Sequence, residues 1–365
     1  MEVADVRYVG VDLAKRTFSV QLQDADGRDL GSHRLNREAI KPFFASLPPS
    51  VVAMEACAGA SYWCEVLASL GHTPLALHAR AVARLRLGHK NDKNDAALIL
   101  LAARLPDARP AVLKSRDQLA ALSLHRMREL VVRQEIACAN QMLGFLLEMG
   151  CVRWNSGTEL RRATNEEIDA EVQSMPPEMR FSIRSSWLRL HATHAENIAI
   201  KKALNRWHAS HPRSLTLETV PGIGCVAATA LAASIPDPPP WASGRAFSSF
   251  LGLVPVQQSS GDITRLGRIG RGGDQYLRRT LFLASRSAVM SCYRRSEGPA
   301  CLVSLLNRKH FFVAISAHAA RLARTSCQML IDGTKFEETP AWRSVPFRKK
   351  ADTRRGRGGE APNSD

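Results

Sequence analysis

Four carboxylates within the first hundred residues have the types and positions that metal-dependent phosphodiester cleavage requires: Asp12, Glu55, Asp92 and Asp95. Asp12 and Glu55 each end a short run of β-branched and apolar residues, and Asp92 and Asp95 stand three residues apart at the start of an alanine- and leucine-rich run. Oxygen ligands of this kind suit Mg²⁺ or Mn²⁺, and two such ions can stabilise both the attacking and the leaving oxygen. The alternative for Asp92 and Asp95 is a solvated helix start with Asp92 near the N-cap.

Two glycine-containing segments later in the chain suit contact with phosphate. Residues 219–224 have the form of a helix-hairpin-helix, in which Gly222 and Gly224 let backbone N–H groups face a phosphate. The second segment is glycine-rich and carries five arginines whose composition suits phosphate contacts: Arg265, Arg268, Arg271, Arg278 and Arg279. The alternatives are an ordinary helix connection for the first segment and a flexible basic surface loop for the second.

The elements that must position the four acids form a mixed sheet with helices on its faces. The strand patterns cover residues 6–12, 18–23, 30–35, 51–54 and 73–77. The helix patterns cover residues 37–46, 61–70 and about 92–104. Ligands of such sheets gather outside the carboxyl ends of strands, which is where this order places Asp12 and Glu55. Asp92 and Asp95 share one face of the helix that begins with them.

Beyond residue 107 the strand pattern disappears and a helical pattern replaces it. Apolar residues recur at helical spacing over about 124–149 and again over about 179–198, which predicts a long antiparallel pair of helices. An intramolecular core hairpin and a dimerising coiled coil are both compatible with that pattern. His194 is interpreted as a residue of the seam and not as a ligand, and the polar segment 153–164 predicts a loop or hinge.

Composition limits the partners that the chain can have. Lys and Arg total 50 against 34 Asp and Glu, so the formal net charge is +16, which favours polyanionic partners. An anionic membrane surface fits the same balance, but no run approaches the roughly 20 apolar residues of a membrane span and no signal sequence is found, so we expect a cytoplasmic protein. The eight cysteines show no zinc-type spacing and are interpreted as small buried hydrophobes without disulfides or zinc.

Two sets of motifs together resemble one known family, the DEDD transposases of bacterial insertion sequences. The set that holds the four acids is similar to the first domain of these proteins: Gly10-Val-Asp12-Leu-Ala-Lys15, Met54-Glu55-Ala-Cys-Ala-Gly59 and Asp92-x-x-Asp95-Ala96. The set near the far end is similar to their second domain: Gly252-Leu-x-Pro255, Ser260-Gly261 and the basic stretch that ends in Leu277-Arg278-Arg279. The resemblance covers about residues 5–105 and 215–330.

The resemblance implies an α/β plus α fold with three folded segments. A ribonuclease-H-like (RuvC-like) catalytic domain would span 1–108, a long helical, coiled-coil-like linker 109–212, and a mostly helical transposase domain with the helix-hairpin-helix 213–338. Residues 339–365 carry seven basic and three acidic residues and are expected to form a basic disordered tail.

The resemblance also implies a site and a reaction. Asp12, Glu55, Asp92 and Asp95 would bind Mg²⁺ or Mn²⁺, and Ser260 would be the nucleophile that links transiently to a DNA end. Ser259 is the neighbouring alternative, and the Ser-Gly pair favours Ser260. The implied function is DNA transposition guided by an element-encoded RNA, with element ends and target DNA as partners, in a nucleoid-associated dimer or tetramer.

Two other functions fit parts of the same sequence. A stand-alone junction-resolving nuclease would need the four acids but not Ser260. A catalytically dead nucleic-acid-binding protein on the same fold would need neither the acids nor the serine. The first part of the chain therefore predicts a nuclease-like site, and the whole chain predicts a recombinase.

Overall fold

The computed structural model describes residues 5–85, 92–105, 110–111, 113–257, 265–270 and 272–347. The chain divides into two compact units, Met1–Ser115 and Arg116–Asp365. The sequence places the end of the first domain at residue 108, and that boundary stays a prediction.

The first unit is built on a five-stranded sheet with helices on both faces. Its strands are β1 (Tyr8–Asp12), β2 (Thr17–Gln23), β3 (Asp29–Asn36), β4 (Val51–Glu55) and β5 (Thr73–Leu77). Its helices are α1 (Ile40–Ala45), α2 (Ala60–Ser69), α3 (Ala79–Ala83) and α4 (Asp92–Arg104). The strand order is β3-β2-β1-β4-β5; β1, β4 and β5 run parallel, and β2 is antiparallel to both β1 and β3. The predicted mixed α/β architecture is confirmed.

Alternate residues of the central strands pack on opposite faces of this sheet. Val9 and Val11 of β1 and Val52 and Met54 of β4 belong to the buried cluster that includes α1 and α2. Ala53 faces the other way and packs with residues of β5 and α4. Because side chains alternate along a strand, Gly10, Asp12 and Glu55 lie on the same face as Ala53.

The second unit is mostly helical. Its helices are α5 (Arg116–Glu148), α6 (Gly157–Leu160), α7 (Asn165–Val172), α8 (Pro177–Ser210), α9 (Pro212–Glu218), α10 (Cys225–Ser234), α11 (Gly244–Phe250), α12 (Gln275–Arg295), α13 (Ala300–Arg308) and α14 (Phe311–Asp332). Its short strands are β6 (Pro255–Gln257) and β7 (Leu266–Ile269), which form one antiparallel pair, and β8 (Glu297–Pro299) and β9 (Ser344–Pro346), which form another. None of the described helices is long and apolar enough to cross a membrane.

The long helices α5 and α8 pack along each other within the chain around one buried carboxylate. Glu135 of α5 accepts a 2.9 Å hydrogen bond from Asn197 Nδ2, lies 3.0 Å from His194 Nδ1 and pairs with Arg161 at 2.9 Å. His194 thus takes part in the seam, where the sequence places it. Whether the outer faces also pair with a second chain stays a prediction.

The polar segment between the long helices is more ordered than the sequence predicts. The loop prediction over 153–164 is wrong for Gly157–Leu160, which form α6. The Ser156 side chain accepts a hydrogen bond from Glu159 N, and the Glu159 carboxylate accepts one from Asn155 N. These bonds satisfy backbone donors at the start of the helix, which is why a turn this short is stable.

The segments predicted as a linker (109–212) and a transposase domain (213–338) lie in one unit. Gln118 of α5 donates hydrogen bonds of 3.1 and 3.0 Å to the carbonyl oxygens of Ala232 and Ile235, at the end of α10. Those carbonyls lack partners within their own helix, so the contact joins the two segments while it completes the helix end.

The prediction of disorder from residue 339 is wrong for residues 339–347. Strand β9 pairs with β8, and Trp342 and Phe347 are buried at 7% and 5% exposure. Burial of two large aromatic side chains outweighs the polar and basic composition of this stretch. Residues 348–365 lie outside the described residues.

Candidate active site and nucleic-acid interface

Asp12 and Glu55 lie side by side at one edge of the sheet. Strands β1 and β4 are parallel neighbours, paired up to Val11 and Met54, and each acid is the next and last residue of its strand. Adjacent strands are about 4.8 Å apart. Both side chains are half-buried and project on the face that α4 covers. Both acids therefore lie at the carboxyl ends of strands, as the sequence predicts.

Helix α4 brings Asp95 to the same edge. The helix runs antiparallel to β1: Ala96 and Leu100 pack on Gly10, and Arg104 lies over the ring of Tyr8 at 5.3 Å. The start of α4 therefore lies at the carboxyl end of β1, beside Asp12. Asp95 is buried at 6% exposure, one helical turn before Ile99 of the sheet-facing core. The side chain of Asp92 lies outside the described residues.

The thiol of Cys57 reports how close the first two acids are. The residue is exposed, but the protein around its sulfur removes part of the water there and raises the pKa of the thiol, and the negative charges of Glu55 and then Asp12 raise it further. Both carboxylates therefore act electrostatically on one atom. The sequence interpretation of the cysteines as buried hydrophobes holds for six of the eight, but Cys57 is exposed and Cys225 is half-buried.

The chemistry of this acidic edge fits a hard divalent cation. Asp12, Glu55 and Asp95 offer only carboxylate oxygens, the ligands that Mg²⁺ and Mn²⁺ prefer. Among the side chains that the structure describes, no three histidines, cysteines or acids are grouped closely enough to hold a metal ion. The donor type thus fits a metal, and a complete ligand set would have to include Asp92 or groups from the substrate.

Sequence reasoning missed Gly10 as a positioning residue of this edge. A Cβ atom at residue 10 would lie 2.7 Å from Leu100 Cγ and closer still to the carbonyl oxygen of Ala96, so α4 packs directly on the backbone of β1. The signal was available, because a glycine inside a buried strand often marks a close backbone approach.

In the second unit the strands β6 and β7 frame the segment that carries the predicted nucleophile. They pair antiparallel, and residues 258–265 lie between them in the sequence. Ser260, Ser259 and Arg271 lie outside the described residues. The frame itself is tightly held: a Cβ atom at Gly273, where φ is +79°, would lie 2.7 Å from Leu251 Cα. The end of α11 and the start of α12 therefore meet backbone to backbone at the base of the hairpin.

The predicted phosphate-binding arginines divide into two kinds. Arg265 and Arg268 are exposed on the hairpin, as a nucleic-acid contact requires. Arg278 donates a 2.6 Å hydrogen bond to the Gly270 carbonyl, and Arg279 pairs with Glu129 at 3.2 Å. The last two arginines therefore stabilise the protein as well, and nucleic-acid contact by any of them stays a prediction.

The segment 219–224 forms a tight turn between two helices. It joins α9 to α10; Gly222 has φ +96°, and Gly224 is the extended N-cap of α10. A Cβ atom on Gly224 would meet nothing within 4 Å, so the backbone at the start of α10 is open on that side. Two helices joined by a glycine turn are present, and both the helix-hairpin-helix and its role in phosphate binding stay predictions.

Comparison with known proteins identifies the family. A family model described as "Transposase IS116/IS110/IS902 family" matches residues 214–298, and one described as "Transposase", named for the DEDD domain of IS110 elements, matches residues 9–150. The chain is 35% identical to a "Probable family 20 transposase" of Pseudomonas aeruginosa, over 87% of this chain and 94% of that protein. The chain belongs to the IS110/IS116/IS902 family of transposases. It is also 32% identical to the "Transposase for insertion sequence element IS1328" of Yersinia enterocolitica, over 92% of this chain and 99% of that protein.

This membership confirms the resemblance that the sequence motifs predict. The range matched by the DEDD model contains all four acids, and the range matched by the other contains Ser260 and the glycine turn. The transposase is thus an enzyme of DNA transposition that cleaves and rejoins DNA. A 26% identical relative, the "Transposase for insertion sequence element IS1111A" of Coxiella burnetii, covers 80% of both chains.

Proposed function

We propose that this transposase excises and inserts its element with Ser260 as the nucleophile and with Mg²⁺ or Mn²⁺ held by Asp12, Glu55, Asp92 and Asp95. The observation that carries the proposal is the convergence of β1, β4 and the start of α4 at one acidic edge. DEDD transposases typically use divalent metal ions. Ser260, which lies between β6 and β7 in the sequence, would supply the nucleophile.

The proposed reaction conserves the phosphodiester bond. The Ser260 hydroxyl oxygen bonds to phosphorus, the strand's phosphorus–oxygen bond breaks, and the serine proton ends on the departing hydroxyl. A hydroxyl of the recipient strand then attacks the phosphoserine and restores the free serine. The bound metal would neutralise the phosphate and stabilise the charge that develops on the leaving oxygen. Arg265 and Arg268 would hold neighbouring phosphates.

The experiment compares single substitutions in both halves of the site. Ser260→Ala should abolish strand cleavage and the covalent protein–DNA adduct while Mn²⁺ binding, followed by electron paramagnetic resonance, is retained. Asp12→Asn should weaken Mn²⁺ binding and cleavage together. Ser259→Ala is the matched control and should keep the adduct. Full cleavage by Ser260→Ala would favour the junction-resolving nuclease instead, and unchanged cleavage by Asp12→Asn would remove the metal from the mechanism.

We further propose that an element-encoded RNA guides target choice. The support is the net charge of +16 and membership of the family that the motifs resemble. The RNA would be needed for cleavage of a defined target, so ribonuclease treatment of the purified complex should abolish cleavage and added transcript of the element's flanking DNA should restore it. Cleavage that survives ribonuclease would rule this out.

We also propose that the transposase works as a dimer or tetramer through the outer faces of α5 and α8. Large apolar side chains are exposed there, among them Leu130 and Ile136 of α5 (50% and 52%) and Phe181 and Leu188 of α8 (74% and 62%). Exposed apolar groups of this size favour association. The test is the molecular mass in solution, measured by light scattering, of the wild type and of the double variant Ile136→Lys/Leu188→Lys. The double variant should have the lower mass, and an unchanged mass would contradict the proposal.

A further inference from the structure

The second unit contains a cleft that none of the predicted site residues lines. Helices α11 and α14 and the segment that follows α14 line an open cleft of about 740 Å³. Its lining includes two arginines near one end and two aromatic residues contributed by the following segment: Arg245, Arg324, Phe336 and Trp342. The volume is within the range of sites that hold one small ligand group, such as a nucleotide.

The arginine end of the cleft concentrates positive charge. Arg324 is half-buried, and its pKa is lowered by burial and by the neighbouring charges of Arg321 and Arg245. Within the described part of the chain, no ion pair is formed by any of these three arginines. Like charges held together in a partly buried place favour a bound anion, which would relieve their repulsion.

The packing of α11 on α14 holds this charge in place. A Cβ atom at Gly244 would lie 3.0 Å from Arg324 Cα, so the start of α11 lies against the backbone of α14 beside Arg324. The Gln328 side chain accepts a 3.1 Å hydrogen bond from Gly244 N and donates to both carboxylate oxygens of Asp332. The backbones that carry Arg245 and Arg324 are therefore held next to each other before any ligand arrives, which lowers the entropic cost of binding.

The remaining lining is aromatic, with a mixed charge at the rim. Phe336 and Trp342 meet edge to face, with ring centroids 5.5 Å apart; Trp342 is buried, whereas Phe336 is only half-buried. Lys335, Glu337 and Asp332 also line the cleft. Asp332 is hydrogen-bonded by Gln328. The charged residues of the lining are three basic (Arg245, Arg324 and Lys335) and two acidic (Asp332 and Glu337), so the balance is positive.

We propose that this cleft binds an unpaired nucleotide of single-stranded nucleic acid, with its phosphate on Arg245 and Arg324 and its base stacked on Phe336. A cationic groove lined by aromatic side chains is the usual means of holding single strands, because every base offers a stacking face only when it is unpaired. The strand could be DNA opened during transposition or RNA, since both present the same phosphate and base. The inference does not depend on the acidic edge or on Ser260.

The position of the cleft gives it a use in the reaction. Helix α11 begins at the cleft and leads through residues 251–254 into β6, which starts the hairpin around Ser260. The helix has seven residues and is therefore about 10 Å long. A nucleotide held in the cleft would be kept at a fixed distance from the base of that hairpin.

Binding of labelled 12-nucleotide single-stranded DNA, single-stranded RNA and blunt duplex DNA to the full chain tests the proposal. Phe336→Ala should weaken single-strand binding by about 10-fold and leave duplex binding unchanged, since stacking requires an unpaired base. Arg324→Gln and Arg245→Gln should each weaken it and reduce the slope of log K against log salt by about 0.7. Matched controls on the same unit are Arg286→Gln and Phe312→Ala, which alter exposed residues outside the cleft.

A second measurement uses the unchanged protein. Photocrosslinking of a 5-iodouracil oligonucleotide should attach it to a peptide that contains residues 336–342. The strand, DNA or RNA, that binds more tightly and crosslinks there is the ligand. Crosslinks found only elsewhere, or cleft variants that bind both strands like the two controls, would overturn the proposal. These experiments measure binding and not cleavage. Their result therefore does not depend on whether Ser260 and the four acids have the catalytic roles proposed above.

Discussion

Gly10 sets how closely helix α4 approaches strand β1, and so how closely Asp95 approaches Asp12. Replacement by alanine adds one carbon that would lie 2.7 Å from Leu100 Cγ and closer to the Ala96 carbonyl oxygen. Carbon atoms in contact prefer separations of about 3.5–4.0 Å. Helix α4 must therefore move away from the sheet by about 1 Å in the Gly10→Ala protein.

The displacement has two consequences of different size. Overpacking of a buried contact costs about 1–3 kcal/mol of folding stability. A misplacement of about 1 Å between groups that act on one substrate can lower a rate by about 100-fold. We therefore expect Gly10→Ala to fold, to unfold at lower denaturant concentration than the wild type, and to lose nearly all activity with all four acids intact.

The assays are urea unfolding and excision of the intact element from a reporter plasmid. Gly144→Ala is the control, because a Cβ atom there meets nothing within 4 Å and alanine favours the helix by up to about 1 kcal/mol. It should be as active as the wild type and equally or more stable. Wild-type excision by Gly10→Ala would refute the claim that the approach of α4 to β1 positions the acids.

Three further predictions concern the second unit. Burial, and then the charge of Arg321, lowers the pKa of His318 to about 4, from 6.5 in the unfolded chain. Below pH 6.5 the unfolded chain therefore takes up a proton that the folded chain does not, and urea unfolding should show a loss of about 3 kcal/mol between pH 7 and pH 4 that His318→Asn lacks. Gln118→Ala should lower the free energy of unfolding by about 1–3 kcal/mol, because it removes the amide donor from the Ala232 carbonyl and leaves the Ile235 carbonyl with Arg213 alone; unchanged stability would mean that water replaces the amide. Glu135→Ala should lower the free energy of unfolding by about 3–5 kcal/mol, and Glu135→Gln should lower it less, because the amide oxygen can still accept a hydrogen bond from Asn197. If thermal unfolding shows equal losses of stability for the two variants, the negative charge of Glu135 does not stabilise the fold.

The sheet of the first unit could be predicted from sequence because its patterns are local. Alternating apolar residues, a hairpin turn and an alanine-rich run place the strands and α4 within about two residues of where they lie. The two S/T-x-x-E patterns that begin α6 and α7 were equally readable: Thr164 and Glu167 form a complete capping box. These patterns favour short helices within and just after residues 153–164 over the predicted loop.

The order of residues 339–347 could not be predicted in the same way. Their composition favours disorder, and what stabilises them is distant in sequence: β9 pairs with β8, and Trp342 packs near His318 and Phe336. The cleft beside residues 339–347 also depends on contacts between segments that are distant in sequence. Arg245 and Arg324 are 79 residues apart and become one charged site only because α11 packs on α14. Such pairings depend on tertiary contacts that no local pattern encodes.

The four acids are predicted from their positions at the ends of strands and at the start of a helix, and Ser260 from the family resemblance. The elements that carry or flank them are positioned by backbone contacts made by glycine. Gly10 lets α4 reach β1 at the acidic edge, and Gly273 lets the start of α12 meet the end of α11. A side chain at either position would keep all the predicted catalytic residues in the sequence, but it would move apart the elements that position or flank them. It follows that a copy of this transposase with all five predicted catalytic residues can be inactive, and that these two glycines are the first positions to read in deciding whether it is.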